Sequence, residues 1–129
     1  MKAQPEYNLH KMIAAYLRLK YPSVLFLSDL DNQIRLTPQQ AMRNRALQKD
    51  GFSCPDLIIF AGKGEWRGML MEIKAESPFR KDGTLRKNDH LEKQWESIRQ
   101  LRRAGFFADF FWNFETAIKT IDWYLGEKK

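Results

Sequence analysis

The sequence predicts an α/β domain, α+β by stricter naming, in which a mixed sheet of about four strands is flanked by helices. Three observations carry that expectation. Apolar residues recur at alternating helical and strand spacings, in the order α-β-α-β-β-α-β-α. Two of the strand runs are separated only by the glycine-rich Gly62-Lys63-Gly64, so they should pair as an antiparallel hairpin. The next strand is reached only through a helix, which calls for a parallel, right-handed crossover. The 129 residues suit one domain, spanning residues 1–129.

The elements follow in order. Pro5 suits a first helical turn, and Leu9, Met12, Ile13, Tyr16 and Leu17 form one stripe, so a helix is expected from about residue 5 to 20, ended by Tyr21-Pro22. Val24 to Leu27 reads as a short strand. Thr37 and Gln40 have capping-box spacing, which starts a helix at Pro38 that should run to Asp50-Gly51. Its apolar face (Ala41, Met42, Leu47) is thin, which makes it peripheral. Asp56 to Phe60 and Gly68 to Ala75 are the hairpin strands. Residues 76 to 89 read as a polar loop, His90 to Ala104 as a helix ended by Gly105, Phe106 to Trp112 as a strand, and Phe114 to Leu125 as a helix stopped by Gly126.

Composition narrows the function classes. The chain is 43% apolar, with nine Phe and four Trp, enough for one packed core and unlike a disordered tail. Its formal charge of +6 favours polyanionic partners without choosing between nucleic acid and acidic membrane. Cys54 is the only cysteine, so no internal disulfide and no cysteine-rich zinc site can form. No secretory signal is visible, and the apolar runs are too short to span a bilayer, so a soluble, cytoplasmic chain is expected.

The hairpin carries the chemistry. With its turn centred on Gly64, Asp56 stands opposite Glu72. Opposed residues project from one face with Cβ atoms roughly 4.5–5.5 Å apart, where like charges are destabilising. Lys74 shares that face by strand alternation. Two facing carboxylates coexist by sharing a proton or a cation, and oxygen ligands suit Mg²⁺ or Mn²⁺. The bland alternative is a solvated cross-strand acid pair with a weak salt bridge to Lys74. A one-residue bulge would spoil the register. Glu6 falls on the edge of the first helix's apolar stripe, where the helix dipole alone could favour it. Gln94 lies within the stripe of Leu91, Trp95, Ile98 and Leu101, either as a satisfied core amide or as support for the Lys74 region.

These residues, with Pro55-Asp56 followed by Glu72-Ile73-Lys74, resemble the PD-(D/E)XK nuclease superfamily. The wider pattern is similar to its VRR-NUC branch: Glu6 on an opening helix, KDGFSCPDLIIF, GMLMEIKAE, Gln94 within HLEKQWESIRQLRRAGF, and WNFETAIKTIDWYL. The resemblance covers nearly the whole chain. It implies a restriction-endonuclease-like fold and a Mg²⁺- or Mn²⁺-dependent endonuclease that hydrolyses DNA phosphodiester bonds. Asp56 and Glu72 would ligate the metal with the Ile73 carbonyl. Lys74 would activate water or stabilise charge, Glu6 would act through the metal's water shell, and Gln94 would support the site. Members that stand alone at this size look phage-type, and some act on branched DNA such as four-way junctions as homodimers. Departing from many relatives, the 76–89 loop is longer and more basic, which bears on substrate preference. A catalytically idle DNA-binding module of the same fold and an RNA-processing nuclease remain as alternatives.

Arg43, Arg45, Arg80, Lys81, Arg86 and Lys87 are expected to contact nucleic-acid phosphates, each against the plain alternative of a solvated surface charge. His10, one turn beyond Glu6, is expected to be a partly exposed flank residue, and Cys54 a small buried one. Asp29 and Asp31 read as turn residues with a second-metal role as the lesser option. Gly62-Lys63-Gly64 lacks the following Ser or Thr and helix of a phosphate loop, so it is a turn. The aromatics are expected mainly in the core.

Overall fold

The computed structural model describes residues 5–29 and 36–126; Asp31 lies outside that range. The element order is α1 (Pro5–Lys20), β1 (Phe26–Ser28), α2 (Pro38–Leu47), β2 (Leu57–Ile59), β3 (Met69–Ile73), α3 (Asp89–Arg103), β4 (Phe107–Phe111) and α4 (Phe114–Leu125). The fold class is as predicted: four helices flank one mixed sheet in the order β1-β2-β3-β4. β1–β2 and β2–β3 pair antiparallel, and the α3 crossover makes β3–β4 parallel.

Strand alternation divides the core in two. Met69, Met71 and Ile73 face one way and join Ile13 and Leu17 of α1 with Ala117, Ile121 and Tyr124 of α4. Leu70 faces the other way, with Ala108 and Phe110, and packs on Ile98 of α3. Glu72 shares parity with Leu70, so its side chain departs on the α3 side of the sheet. α1 and α4 are also clamped by a polar hub: Asp122 accepts from Tyr16 and Tyr21 hydroxyls at 2.6–2.8 Å and pairs with Lys20 at 3.0 Å.

The hairpin register is the predicted one, for a different reason. Leu57, Ile58 and Ile59 face Met71, Leu70 and Met69, which carries Asp56 opposite Glu72. Yet the turn is not centred on Gly64. Lys63 pairs with Trp66, placing Gly64 (φ +57°) and Glu65 at the tip. Phe60, Ala61 and Gly62 then lie against only Arg67 and Gly68, one extra residue on the first arm. That bulge offsets the displaced turn, and the two departures cancel.

Other expectations needed correction. The first strand is displaced toward the C-terminus, because Phe26 and Ser28 are the residues that find partners in Ile59 and Leu57. α2 has its capping box, with Gln40 N–H donating to Thr37 Oγ1 and Thr37 N–H to Gln40 Oε1, but it stops at Leu47 rather than Asp50. It buries no residue and packs closely against no other element, so nothing holds a further turn. The 76–89 segment is not a plain loop. Phe79 pairs with Leu85 across a tight turn, and Phe79 sits edge-on to Trp95, Phe110 and Trp112 at 5.5–6.1 Å. The aromatics are less buried than expected: Phe60, Trp66, Trp112 and Trp123 are all exposed. Trp66 and Trp123 meet edge-on at the hairpin end, where Lys63 stacks over Trp123 and donates to its carbonyl.

Candidate active site

Asp56 immediately precedes β2 and Glu72 is the penultimate residue of β3, so the pair sits at one end of the antiparallel ladder. Both are buried, Asp56 to 9% exposure and Glu72 to 1%. Each carboxylate crosses to the opposite strand. Ile73 N–H donates to Asp56 Oδ2 at 2.8 Å, and Asp56 N–H donates to Glu72 Oε2 at 3.2 Å. These bonds to amides at the strand ends fix both side chains, and strand alternation puts them on one side of the sheet. Asp29 N–H donates to the Asp56 carbonyl at 2.7 Å, and Lys74 N–H to the Phe111 carbonyl at 2.9 Å, so the site is tied to all four strands.

Burial raises the Glu72 pKa well above the usual carboxylate range, and the adjacent Asp56 carboxyl raises it further as hydrogen-bond partner and as charge. Lys74 and the Asp56 N–H oppose that rise without overcoming it. Burial and the neighbouring carboxyl thus disfavour the charged form of Glu72. Among the described residues, no group of three or more His, Cys, Asp and Glu side chains converges as a cage. Two carboxylates beside main-chain groups are nonetheless a sufficient donor set for an ion of the Mg²⁺ type, which usually keeps several waters and takes one or two carboxylates plus substrate oxygens. The residues present fit a hard divalent cation.

Lys74 is half-buried and opens into a cavity of about 390 Å³ that Glu6, Glu76, Arg86, Lys87 and His90 also line. Glu6 is exposed on the first turn of α1 rather than turned inward, and reaches the site through this cavity. Gln94 is buried to 4% exposure; its Nε2 lies 3.1 Å from His90 Nε2, while its Oε1 has no hydrogen-bond partner. Gln94 thus holds His90, which faces the cavity, rather than lining it. Arg86 lies at the cavity but pairs with Glu76 at 2.6 Å. Arg80 and Lys81 are exposed at the tip of the small hairpin above it, where Arg80 Nη1 reaches Thr84 Oγ1 at 3.4 Å. Arg43 and Arg45 are exposed on α2, away from that cavity.

His10 departs from expectation. It is buried to 6% exposure, and its Nε2 shares a 2.8 Å hydrogen bond with Ser28 Oγ. Burial lowers its pKa, while the nearby Asp56 charge pulls the other way. Burial thus disfavours a charged ring here, close enough to Asp56 to feel its charge. The signal was its spacing of one turn from Glu6, but a lone histidine at a stripe edge is an ordinary surface feature. Cys54 is half-buried, not buried.

No family model matches the sequence, and no curated protein matches it. A solved structure described as a VRR_NUC domain protein is similar over 97% of this chain and 91% of that one, with a TM-score of 0.63 and 22% sequence identity. At that identity the likeness speaks for architecture: four helices around a mixed four-stranded sheet form the fold of a VRR_NUC domain protein.

Proposed function

We propose that this chain is a Mg²⁺- or Mn²⁺-dependent endonuclease hydrolysing DNA phosphodiester bonds, with Asp56, Glu72 and the Ile73 carbonyl holding the ion. The observation that carries the reading is a buried pair of facing carboxylates, each fixed by an amide at a strand end, on the strands that also carry Lys74 to a cavity it lines with Glu6, Glu76, Arg86 and Lys87. Such a pair has no structural purpose that two apolar residues would not serve better. The VRR_NUC likeness supports it through the fold, and the net charge of +6 through the polyanionic partner.

The ion, when bound, lowers the pKa of a coordinated water and neutralises charge on the phosphoryl oxygen. The remaining work falls to side chains. Lys74 donates to the attacking water or the developing phosphoryl charge. Glu6, across the cavity, accepts from water near the ion. Gln94 holds His90 in place at the cavity wall. The oxygen of water bonds to phosphorus and its proton passes to solvent, as the bond from phosphorus to a deoxyribose oxygen breaks and that oxygen takes a proton from solvent. We further propose branched DNA such as four-way junctions as substrate and a homodimer as the form that makes paired cuts.

The decisive experiment compares supercoiled, linear and four-way-junction DNA, and an RNA of equal length, in Mg²⁺, Mn²⁺ or EDTA. Metal-dependent cleavage is expected. Asp56→Ala should reduce it to background, and Lys74→Ala by about 100-fold or more, the scale of losing one transition-state charge stabiliser. Equal activity in parent and variants would expose a contaminant. Tight binding without cleavage in any metal would leave an idle module, and cleavage of RNA alone would change the substrate.

A further inference from the structure

A second groove, of about 310 Å³, shares no residue with the Lys74 cavity. Its floor is Asp50 to Cys54, the segment that leads directly into Pro55-Asp56, together with Asp29, whose N–H is bonded to the Asp56 carbonyl. This floor is held down by Ser53 N–H donating to Ser97 Oγ at 2.8 Å. One wall is α2, through Asn44, Arg45 and Gln48, with Lys49 just beyond its end; the other is Lys93 of α3.

Three cations from two separate elements thus surround one groove. Arg45, Lys49 and Lys93 are exposed, and among the described residues none of them forms an ion pair. They outnumber the two carboxylates of the floor, Asp29 and Asp50, so the groove keeps a net positive charge that the fold does not require. The helix that brings Arg45 has no acidic residue, buries nothing, and packs closely against no other element. A capping box and a proline at its start keep it helical despite that lack of support. Its Asn44 and Gln48 side chains, linked at 3.0 Å, add neutral donors to the same wall. Cations and amides around a polar trough match the sugar-phosphate backbone of a nucleic acid, whose oxygens accept from both. Among the described residues the trough holds no aromatic platform for stacked bases, and Phe52 is the one ring lining it.

We propose that this groove binds the sugar-phosphate backbone of one DNA strand on the side of the scissile phosphate opposite the Lys74–Lys87 cavity, with α2 as its outer wall. The inference rests on the nuclease reading for where the scissile phosphate lies. The strand then runs from one cavity, over Asp56 and Glu72, into the other. Because α2 lacks packing of its own, it closes on the strand and becomes better ordered when the strand is present.

The test is DNA binding by the full chain in EDTA, which separates it from hydrolysis. The probe is a labelled four-way junction, with a linear duplex beside it, across a salt series. Arg45→Gln/Lys49→Gln/Lys93→Gln should raise Kd at least tenfold and lower the slope of log affinity against log salt by about two to three, at roughly 0.9 per lost phosphate contact. A charge-matched control, Arg18→Gln/Arg103→Gln/Lys119→Gln, on exposed positions elsewhere, should keep both values close to the parent's. Hydrogen exchange should slow across residues 38–48 when DNA binds the parent, and should stay unchanged in the groove variant. Parent-like affinity and slope in the groove variant would overturn the proposal, as would an equal loss in the control, which would mean a diffuse field rather than a groove. Failure of the nuclease reading would show elsewhere, as absence of metal-dependent cleavage by the parent.

Discussion

Glu72 is the residue with the most at stake, since its carboxylate is sealed under the sheet end against Asp56. Burial first, then Asp56, lifts its pKa above the 4.5 of an unperturbed glutamate. In the metal-free chain, the folded state therefore keeps a proton that the unfolded state releases as pH passes about 4.5. The contribution is complete below that pH and is lost as pH rises toward the folded value, at no more than about 1.4 kcal/mol per pH unit. In EDTA, the thermal midpoint should consequently fall between about pH 5 and pH 8, and Glu72→Gln, which keeps the shape without the charge, should flatten that decline. A variant profile as steep as the parent's would assign the slope to other groups. Not every residue was equally legible. Asp56, Glu72 and Lys74 could be placed from alternation and turn position, because a hairpin converts sequence distance directly into facing pairs. His10 could not, since its burial depends on where Ser28 ends up, and nothing local links the two.

Among the elements, α1 and α2 make opposite demands on tertiary support. α1 carries Glu6 and His10 to the site and is anchored at its far end by the Asp122 hub. Asp122→Ala strands two tyrosine hydroxyls and should cost about 1–2 kcal/mol, given that the hub is part-exposed. Denaturant titration would measure it, and a loss within error of zero would mean solvent replaces the bonds without cost. α2 relies on its cap instead. Thr37→Ala should cost the helix about 1 kcal/mol. Because α2 buries nothing, the global midpoint should stay put while amide exchange over residues 38–47 quickens about fivefold. A global midpoint that drops by the same amount would show that α2 is packed more firmly than its exposure indicates. The extent of α2 was misread for the same reason. Sequence marks its start through Thr37 and Gln40, but the end depends on packing that is not there.

For the whole molecule, the two grooves, the acid pair and the net positive charge form one system. An ion that binds the folded chain alone stabilises it by mass action, about 2.7 kcal/mol at a hundredfold excess over Kd. Mn²⁺ or Mg²⁺ should therefore raise the thermal midpoint of the parent at pH 7–8, and Asp56→Ala should lose most of that shift. Calorimetry with each ion reads this without any nucleic acid present. An unchanged parent midpoint at millimolar metal would remove the ion from the site. No helix among the described residues is long and apolar enough to cross a membrane.

What the sequence determined by itself is whatever local geometry converts directly into structure. Periodicity set the order of helices and strands, the Thr37 and Gln40 spacing marked a helix start, and the hairpin brought Asp56 and Glu72 face to face. Even there the register came out right through two cancelling offsets, a displaced turn and a bulge at 60–62. Only the tertiary structure decided how deeply the acids are buried, that His10 joins them, that Gln94 holds His90, and that Arg45 and Lys93 share a groove. Each of these depends on contacts between residues far apart in the chain, whose meeting is set by how helices dock on the two sheet faces, and no short-range pattern encodes that docking.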